Sequence, residues 1–359
     1  MTLRPEVELL LRCASPVDSG ELNPEGVDWN YLRDLADSHK LLPLVYWKLK
    51  PPALEENFRA NLKNSLLLTR ELVHVIDLLA AQGISVIPFK GPTLALRAYR
   101  NLALRNFCDL DILLRREDVW KARDVLERAG YRSKLQLDAA RENAYLDSYD
   151  EVVMYGPDGT TLLEIHWAFV PPHFGVRLDF ADCAGRLEYL PLASRTLPSL
   201  HPDDLLLVLC VHGSKHCWSH LGLICDVAWL VTAYPFDWEP LLRRARKMGI
   251  YRMVLLALTL AEKTLHVRMQ VARDPAADQL ADEIIAALLG ERHDETSIVA
   301  NGSLHLRMRE RLRDRVRYSL MLATRPGVED WEMVNLPASL NFVYRVLRFP
   351  RLAIKYWSK

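Results

Sequence analysis

The stretch FKGPTLALRAYRNLALRNFCDLDILL, Phe89 to Leu114, sets two aspartates two residues apart inside an apolar run. Its end, CDLDILL, alternates as a strand does, so Asp109 and Asp111 share one face while Leu110 and Ile112 point into a core. A buried strand seldom carries one unpaired carboxylate, let alone two on one face. Residues two apart in a strand lie roughly 6.5 to 7 Å apart, which lets both carboxylates reach a pair of divalent ions about 3.5 to 4 Å apart. Without a cation, one acid would be protonated or the strand destabilised.

The flanking residues extend the pattern in both directions. Upstream, ISVIPF reads as a strand and PTLALRAYR as a short helix, with FKG between them. Free N–H groups at a helix start, together with Lys90, suit a phosphate, and Gly91 allows close backbone approach. Pro92 at the first helical position fits that corner. Downstream, REDVWKARDVLERAG has the acidic start and closing Gly130 of a helix. The run EVVMYGPDGTTLLEIHWAFV then alternates on both sides of GPDG, as a β-hairpin does. In LLEIHW, Glu164 shares a face with Leu162 and His166. If this strand lies beside the first, three carboxylates meet at one site.

The rest of the 359-residue chain supplies helices, so the expected fold class is α+β: a small mixed-sheet core with helical N-terminal and C-terminal regions. The expected division is a helical region at 1–82, an α/β core at 83–185, a helical domain completing a cleft at 186–290, and a basic helical region at 291–359. Lys+Arg and Asp+Glu both number 46, so no global field draws the chain to nucleic acid or membrane, and a nucleic-acid role must rest on a local patch. The six cysteines form no C-x-x-C pair and read as reduced thiols. The N-terminus lacks a signal-peptide core, and the best apolar run, MVLLALTLA, is far below membrane-spanning length. A cytoplasmic protein without a membrane partner is the expectation.

Other motifs carry competing readings. HGSKHCWSH spaces His212, His216 and His220 by four, one stripe on a helix, either hydrogen-bonded, exposed or a zinc set. ERHDET pairs His293 with Asp294, a weak echo of metal-dependent phosphohydrolases that reads as a loop. In LRMRERLRDRVRYSL, Met308, Leu312 and Val316 line one helix face and arginines cover the rest, either paired to acids or facing phosphate. Arg345, Arg348, Arg351 and Lys355 in the tail, among Tyr344, Phe349 and Trp357, add to that surface. Walker A, G-x-G-x-x-G, H-E-x-x-H and G-x-S-x-G patterns are absent from the sequence.

Taken together, IPFKGPTLALRAY, LRNFCDLDILL, AGYR and LLEIHW resemble an uncharacterised bacterial nucleotidyltransferase family within the DNA polymerase beta-type nucleotidyltransferase superfamily. The resemblance runs on through HGSKHCW and CDVAWL. It implies transfer of a nucleoside monophosphate from a nucleoside triphosphate such as ATP to a small-molecule, protein or RNA acceptor. Two magnesium ions, with manganese able to substitute, would be held by Asp109, Asp111 and Glu164, the catalytic residues. Lys90, Gly91, Thr93, Arg105, His166 and Lys215 would contact the nucleotide, and His212 and Asp226 would face it or the acceptor. The superfamily's usual Gly-Ser is here Gly91-Pro92-Thr93, with Thr93 supplying the hydroxyl. The alternative is a catalytically weak member of the same fold, serving as a binding or antitoxin-like interaction module.

Overall fold

Alternating apolar residues build the sheet that carries the acids. A computed structural model describes residues 3–17, 20–135, 137–193, 195–290, 298–325 and 343–344. The sheet is preceded by α1 (Pro5–Ala14), α2 (Trp29–Ser38), α3 (Leu42–Leu49) and the 26-residue α4 (Glu55–Ala80). It comprises β1 (Ile87–Pro88), β2 (Asp109–Leu113), β3 (Arg132–Ser133), β4 (Glu151–Tyr155) and β5 (Leu162–His166), in the order β1-β2-β5-β4-β3. Between them run α5 (Gly91–Tyr99), α6 (Val119–Arg128) and α7 (Ala139–Ser148). β2 and β5 are parallel, and the other pairings are antiparallel. The class is α+β, as the sequence indicates.

One sheet face is greasy and the other is charged. Leu110, Ile112, Leu163 and Ile165 are fully buried, packed in one cluster with Leu68, Leu72, Val75, Ile76 and Leu79 of α4 and with Val119 and Leu126 of α6. The α4 residues recur at three and four spacing, which lays them along one helix face. Each fully buried aliphatic side chain contributes about 1.5–3 kcal/mol. That gain offsets the cost of holding acids on the opposite face.

The second, larger core lies on the charged side. α8 (Phe180–Ala184) leads into β6 (Glu188–Leu192) and β7 (Arg195–Ser199), then α9 (Pro202–Lys215), α10 (Leu221–Ala233), α11 (Trp238–Met248), α12 (Tyr251–Leu265) and α13 (Pro275–Leu289). Helices α9, α10 and α12 join α1 to α3 in one apolar cluster. α5 packs on α10, which brings the helical layer over the sheet's acidic face. Among the described residues, no helix is long and apolar enough to cross a membrane.

Three expectations change. The β6–β7 hairpin falls where the chain read as helical; Pro191 and Pro198 hid its strands, yet a two-stranded edge tolerates proline. His212, His216 and His220 do not share a helix: α9 ends at Lys215, and His220 immediately precedes α10. Cys217 and Trp218 take left-handed conformations, with φ of 52° and 55°, turning the Trp218 ring back over Gly213. The arginine-rich segment is likewise not one helix, because α14 (Ile298–Arg307) and α15 (Leu312–Thr324) are separated by a break. Met308 is buried there while Leu312 and Val316 are exposed, so they do not form one buried face. Arg309 is buried between the Phe174 and Tyr318 rings, its guanidinium carbon 4.7 and 4.1 Å from their centroids. Arg307 pairs with Glu283, the acid-paired reading of this segment. His293, Asp294, Arg345, Arg348, Phe349, Arg351, Lys355 and Trp357 lie outside the described residues.

The turn after α9 sets where its last residues face, and it depends on the absence of a side chain at Gly213. A Cβ there would overlap the fully buried Trp218 ring. Gly213→Ala is expected to lower stability by about 1–3 kcal/mol through overpacking, read from the midpoint of urea unfolding.

Candidate active site

Strand register brings the acids together. Asp111 of β2 lies opposite Glu164 of β5, and Leu113 lies opposite His166. His166 Nε2 is 3.3 Å from Asp111 Oδ1 and 3.3 Å from Glu164 Oε2. Ligand atoms of Asp111, Glu164 and His166 lie within 4.8 Å of one another, a spacing one metal ion can bridge. Asp109, on the same β2 face, lines the adjoining cleft. This cleft, about 460 Å³, runs between the sheet and helices α9 and α10.

Asp111 is only 2% exposed, and neither of its oxygens accepts a hydrogen bond of ordinary geometry. Its charge is matched by Lys90 Nζ, 2.5 Å from Oδ1, and by His166. Burial opposes ionisation of Asp111, but the Lys90 charge and the His166 ring outweigh it and hold the carboxyl well below the usual range. Asp109 goes the other way: burial and then the Asp111 charge push it up to about 6. Burial alone would make His166 neutral, yet the Asp111 and Glu164 carboxylates, each 3.3 Å from Nε2, lift it to about 9, which favours the imidazolium at neutral pH. Lys90 and His166 thus act as built-in counterions. A buried carboxylate whose Oδ2 has no hydrogen-bond partner, beside two more acids, fits a divalent cation.

The hairpin extends this chain of charges. Glu151 pairs in register with His166, and its Oε2 is 3.5 Å from His166 Nδ1. Lys215 Nζ lies 3.3 Å from Asp150 Oδ2 and 3.7 Å from Glu151 Oε2. Asp150, Glu151 and His166 form a second group of ligand atoms within 4.8 Å of one another. The three histidines of HGSKHCWSH do not converge in this way among the described residues. The His212 and His216 rings lie tilted at 55° with centroids 4.5 Å apart, and burial, with nearby lysines, drives both toward the neutral form.

Other expected nucleotide contacts are placed unevenly. Lys90, Arg105, His166, His212, Lys215 and Asp226 all line the cleft. Gly91 and Thr93 are buried and do not. Gly91 has φ of +51°, and a Cβ there would sit 3.4 Å from the Asp109 carbonyl oxygen, so glycine lets α5 close against β2. The Thr93 hydroxyl donates to the Lys90 carbonyl at 2.8 Å. The KGPT turn therefore aims Lys90 at Asp111. Arg105 donates twice to Asp226, at 2.9 and 3.0 Å, and the Tyr99 hydroxyl donates to the same acid at 2.8 Å. That network fastens the segment before β2 to α10.

Sequence reasoning missed Asp150 and Glu151, although the hairpin register that faces Glu151 with His166 was a usable signal. It also missed Lys40, a cleft-lining residue from the N-terminal helices, whose only local sign is a lysine at a helix end.

His166 makes the site pH-sensitive in a definite direction. Its pKa is raised from 6.5 to about 9, so the stability it contributes is fully present below 6.5 and is lost as pH rises through about 9. Metal-free protein is expected to lose melting temperature between pH 7 and 9, and His166→Gln to lose less over that window, measured by differential scanning fluorimetry.

No curated protein and no solved structure matches the chain. A family model described as an uncharacterised nucleotidyltransferase matches residues 25–266, from the N-terminal helices through the end of α12. The matched span contains the carboxylates, Lys90 and every cleft wall described above, and with more than half of the 359 residues covered the chain belongs to this nucleotidyltransferase family.

Proposed function

We propose that the protein transfers a nucleoside monophosphate from a nucleoside triphosphate to an acceptor hydroxyl, as a polymerase beta-type nucleotidyltransferase. Asp109, Asp111 and Glu164 would hold magnesium, or manganese in its place. The observation that carries this reading is Asp111: buried, held ionised, its Oδ2 without a hydrogen-bond partner, and in register with Glu164. Bound divalent ions would supply positive charge against the phosphate oxygens.

The chain's own residues do the remaining work. As the acceptor hydroxyl gives its proton to the Glu164 carboxylate, its oxygen forms a bond to the α-phosphorus, the bond to the bridging oxygen breaks, and pyrophosphate leaves with that bond's electron pair. Glu164 is 23% exposed at its side chain and faces the cleft, where its carboxylate accepts a hydrogen bond from the acceptor hydroxyl and orients it. Arg105 acts through Asp226, keeping the strand entry fixed against α10. Glu151 and Lys215 also line the cleft, with Asp150 paired to Lys215, and an acceptor would sit beside them. On this reading 83–185 is the catalytic core and the flanking helical regions close the cleft.

One observation favours the second reading, a binding module of the same fold. Lys90 already places a positive charge on Asp111, as a metal would. Labelled transfer separates the two.

The test uses each α-labelled nucleoside triphosphate with magnesium or manganese and a cell extract as the acceptor source. Glu164→Gln is the better variant, because Asp111→Asn would leave the Lys90 charge buried and unpaired at a cost of about 3–5 kcal/mol. Label is expected on an acceptor, with Glu164→Gln slower by at least about a hundredfold. No label on any acceptor, with no thermal stabilisation by nucleotide and metal, would sink the proposal.

A further inference from the structure

The lysines and arginine that line the cleft are Lys40, Lys90, Arg105 and Lys215. Three of them are already committed: Lys90 to Asp111, Arg105 to Asp226, and Lys215 to Asp150 and Glu151. Among the described residues Lys40 makes no ion pair, and its side chain is exposed at the cleft. It shares the cleft lining with Cys108 and Asp109 of the strand entry and with His220.

The backbone around Lys40 is built rather than loose. α2 ends in a paired closure in which the Lys40 N–H donates to Asp37 and the Leu41 N–H to Ala36, at 2.9 and 2.7 Å. In that motif the residue at Lys40's place takes the left-handed conformation and is usually glycine. Lys40 sits there with φ of 63°. The preceding residue is clamped to α10: the Gly222 N–H donates to the His39 carbonyl at 3.1 Å, and the Leu221 N–H to His39 Nδ1 at 3.3 Å. Lys50, Arg100 and His266 also end helices in the left-handed region, but none of them lines the cleft. A lysine held where a helix end favours glycine, aimed into a cleft whose other lysines and arginine are neutralised, calls for an anionic ligand.

We propose that Lys40 binds the outer phosphates of the triphosphate, so that the N-terminal helical region supplies the phosphate grip that the closed KGPT turn does not. This rests on the nucleotidyltransferase reading above. It puts the leaving pyrophosphate beside Lys40. Lys40 is a binding residue whose loss raises KM for the triphosphate more than it lowers kcat.

The experiment is calorimetric titration of the full chain with manganese tripolyphosphate and with manganese ATP, comparing the unaltered protein with Lys40→Gly, Lys40→Arg and Lys50→Gly. Glycine suits the helix end, so Lys40→Gly is expected to melt higher than the unaltered chain while its Kd for both probes rises about tenfold. Lys40→Arg is expected to stay within about threefold of the unaltered Kd, and Lys50→Gly to match it. Equal tripolyphosphate binding by Lys40→Gly would overturn this proposal and leave the nucleotidyltransferase reading standing. Weakening with ATP but not with tripolyphosphate would also overturn it, by moving Lys40 from phosphate to nucleoside. If the unaltered chain binds neither probe, the underlying reading falls and this proposal with it.

Discussion

The parallel, in-register pairing of β2 with β5 is the constraint on which the rest depends. It sets Asp111 beside Glu164 and brings His166 within reach of both. Because side chains alternate with a period of two, a one-residue slip of β5 would turn Glu164 and His166 into the apolar layer and Ile165 into the cleft. The fully buried Leu163 and Ile165 against α4 hold the register from below. The hydrophobic core thus specifies the electrostatics on the opposite face.

Burying those charges has structural consequences beyond the sheet. An isolated carboxylate as buried as Asp111 would take up a proton; here Lys90 and His166 keep it ionised. Lys90 reaches it because Gly91 adopts a left-handed conformation close to the Asp109 carbonyl, and because the Thr93 hydroxyl closes the first turn of α5. α5 is in turn packed on α10, while Arg105 and Tyr99 converge on Asp226. The helical layer is therefore part of the support for the acidic cluster.

The sheet was legible in the sequence wherever its signals were local. CDLDILL and LLEIHW alternate, GPDG marks the turn between β4 and β5, and β2, β4 and β5 each fall inside the expected run, whereas the two-residue β3 was too short to show. The KGPT corner also lies where expected, but its chemistry was hidden, because closure against β2 depends on a backbone angle and a carbonyl far along the chain. The histidine spacing misled for a related reason: only the burial of Trp218 over Gly213 reveals that the helix ends before His216. Lys40 was illegible because nothing near it in sequence shows that α2 ends against α10.

The balance of charge within the cleft bears on the order in which ligands arrive. The chain is neutral overall, yet Asp109, Asp111, Asp150, Glu151 and Glu164 gather around Lys90, Lys215 and the His166 imidazolium. Five carboxylates against three cations leave an excess of negative charge when all are ionised. Asp109, pushed up to about 6, yields part of that excess to a proton near neutrality. A bare triphosphate approaching this wall meets repulsion, whereas a divalent cation meets attraction. On the proposed reading, the cluster thereby selects a triphosphate that carries its metal. On that reading Lys40, exposed at the cleft and without an ion pair among the described residues, keeps its charge for that triphosphate.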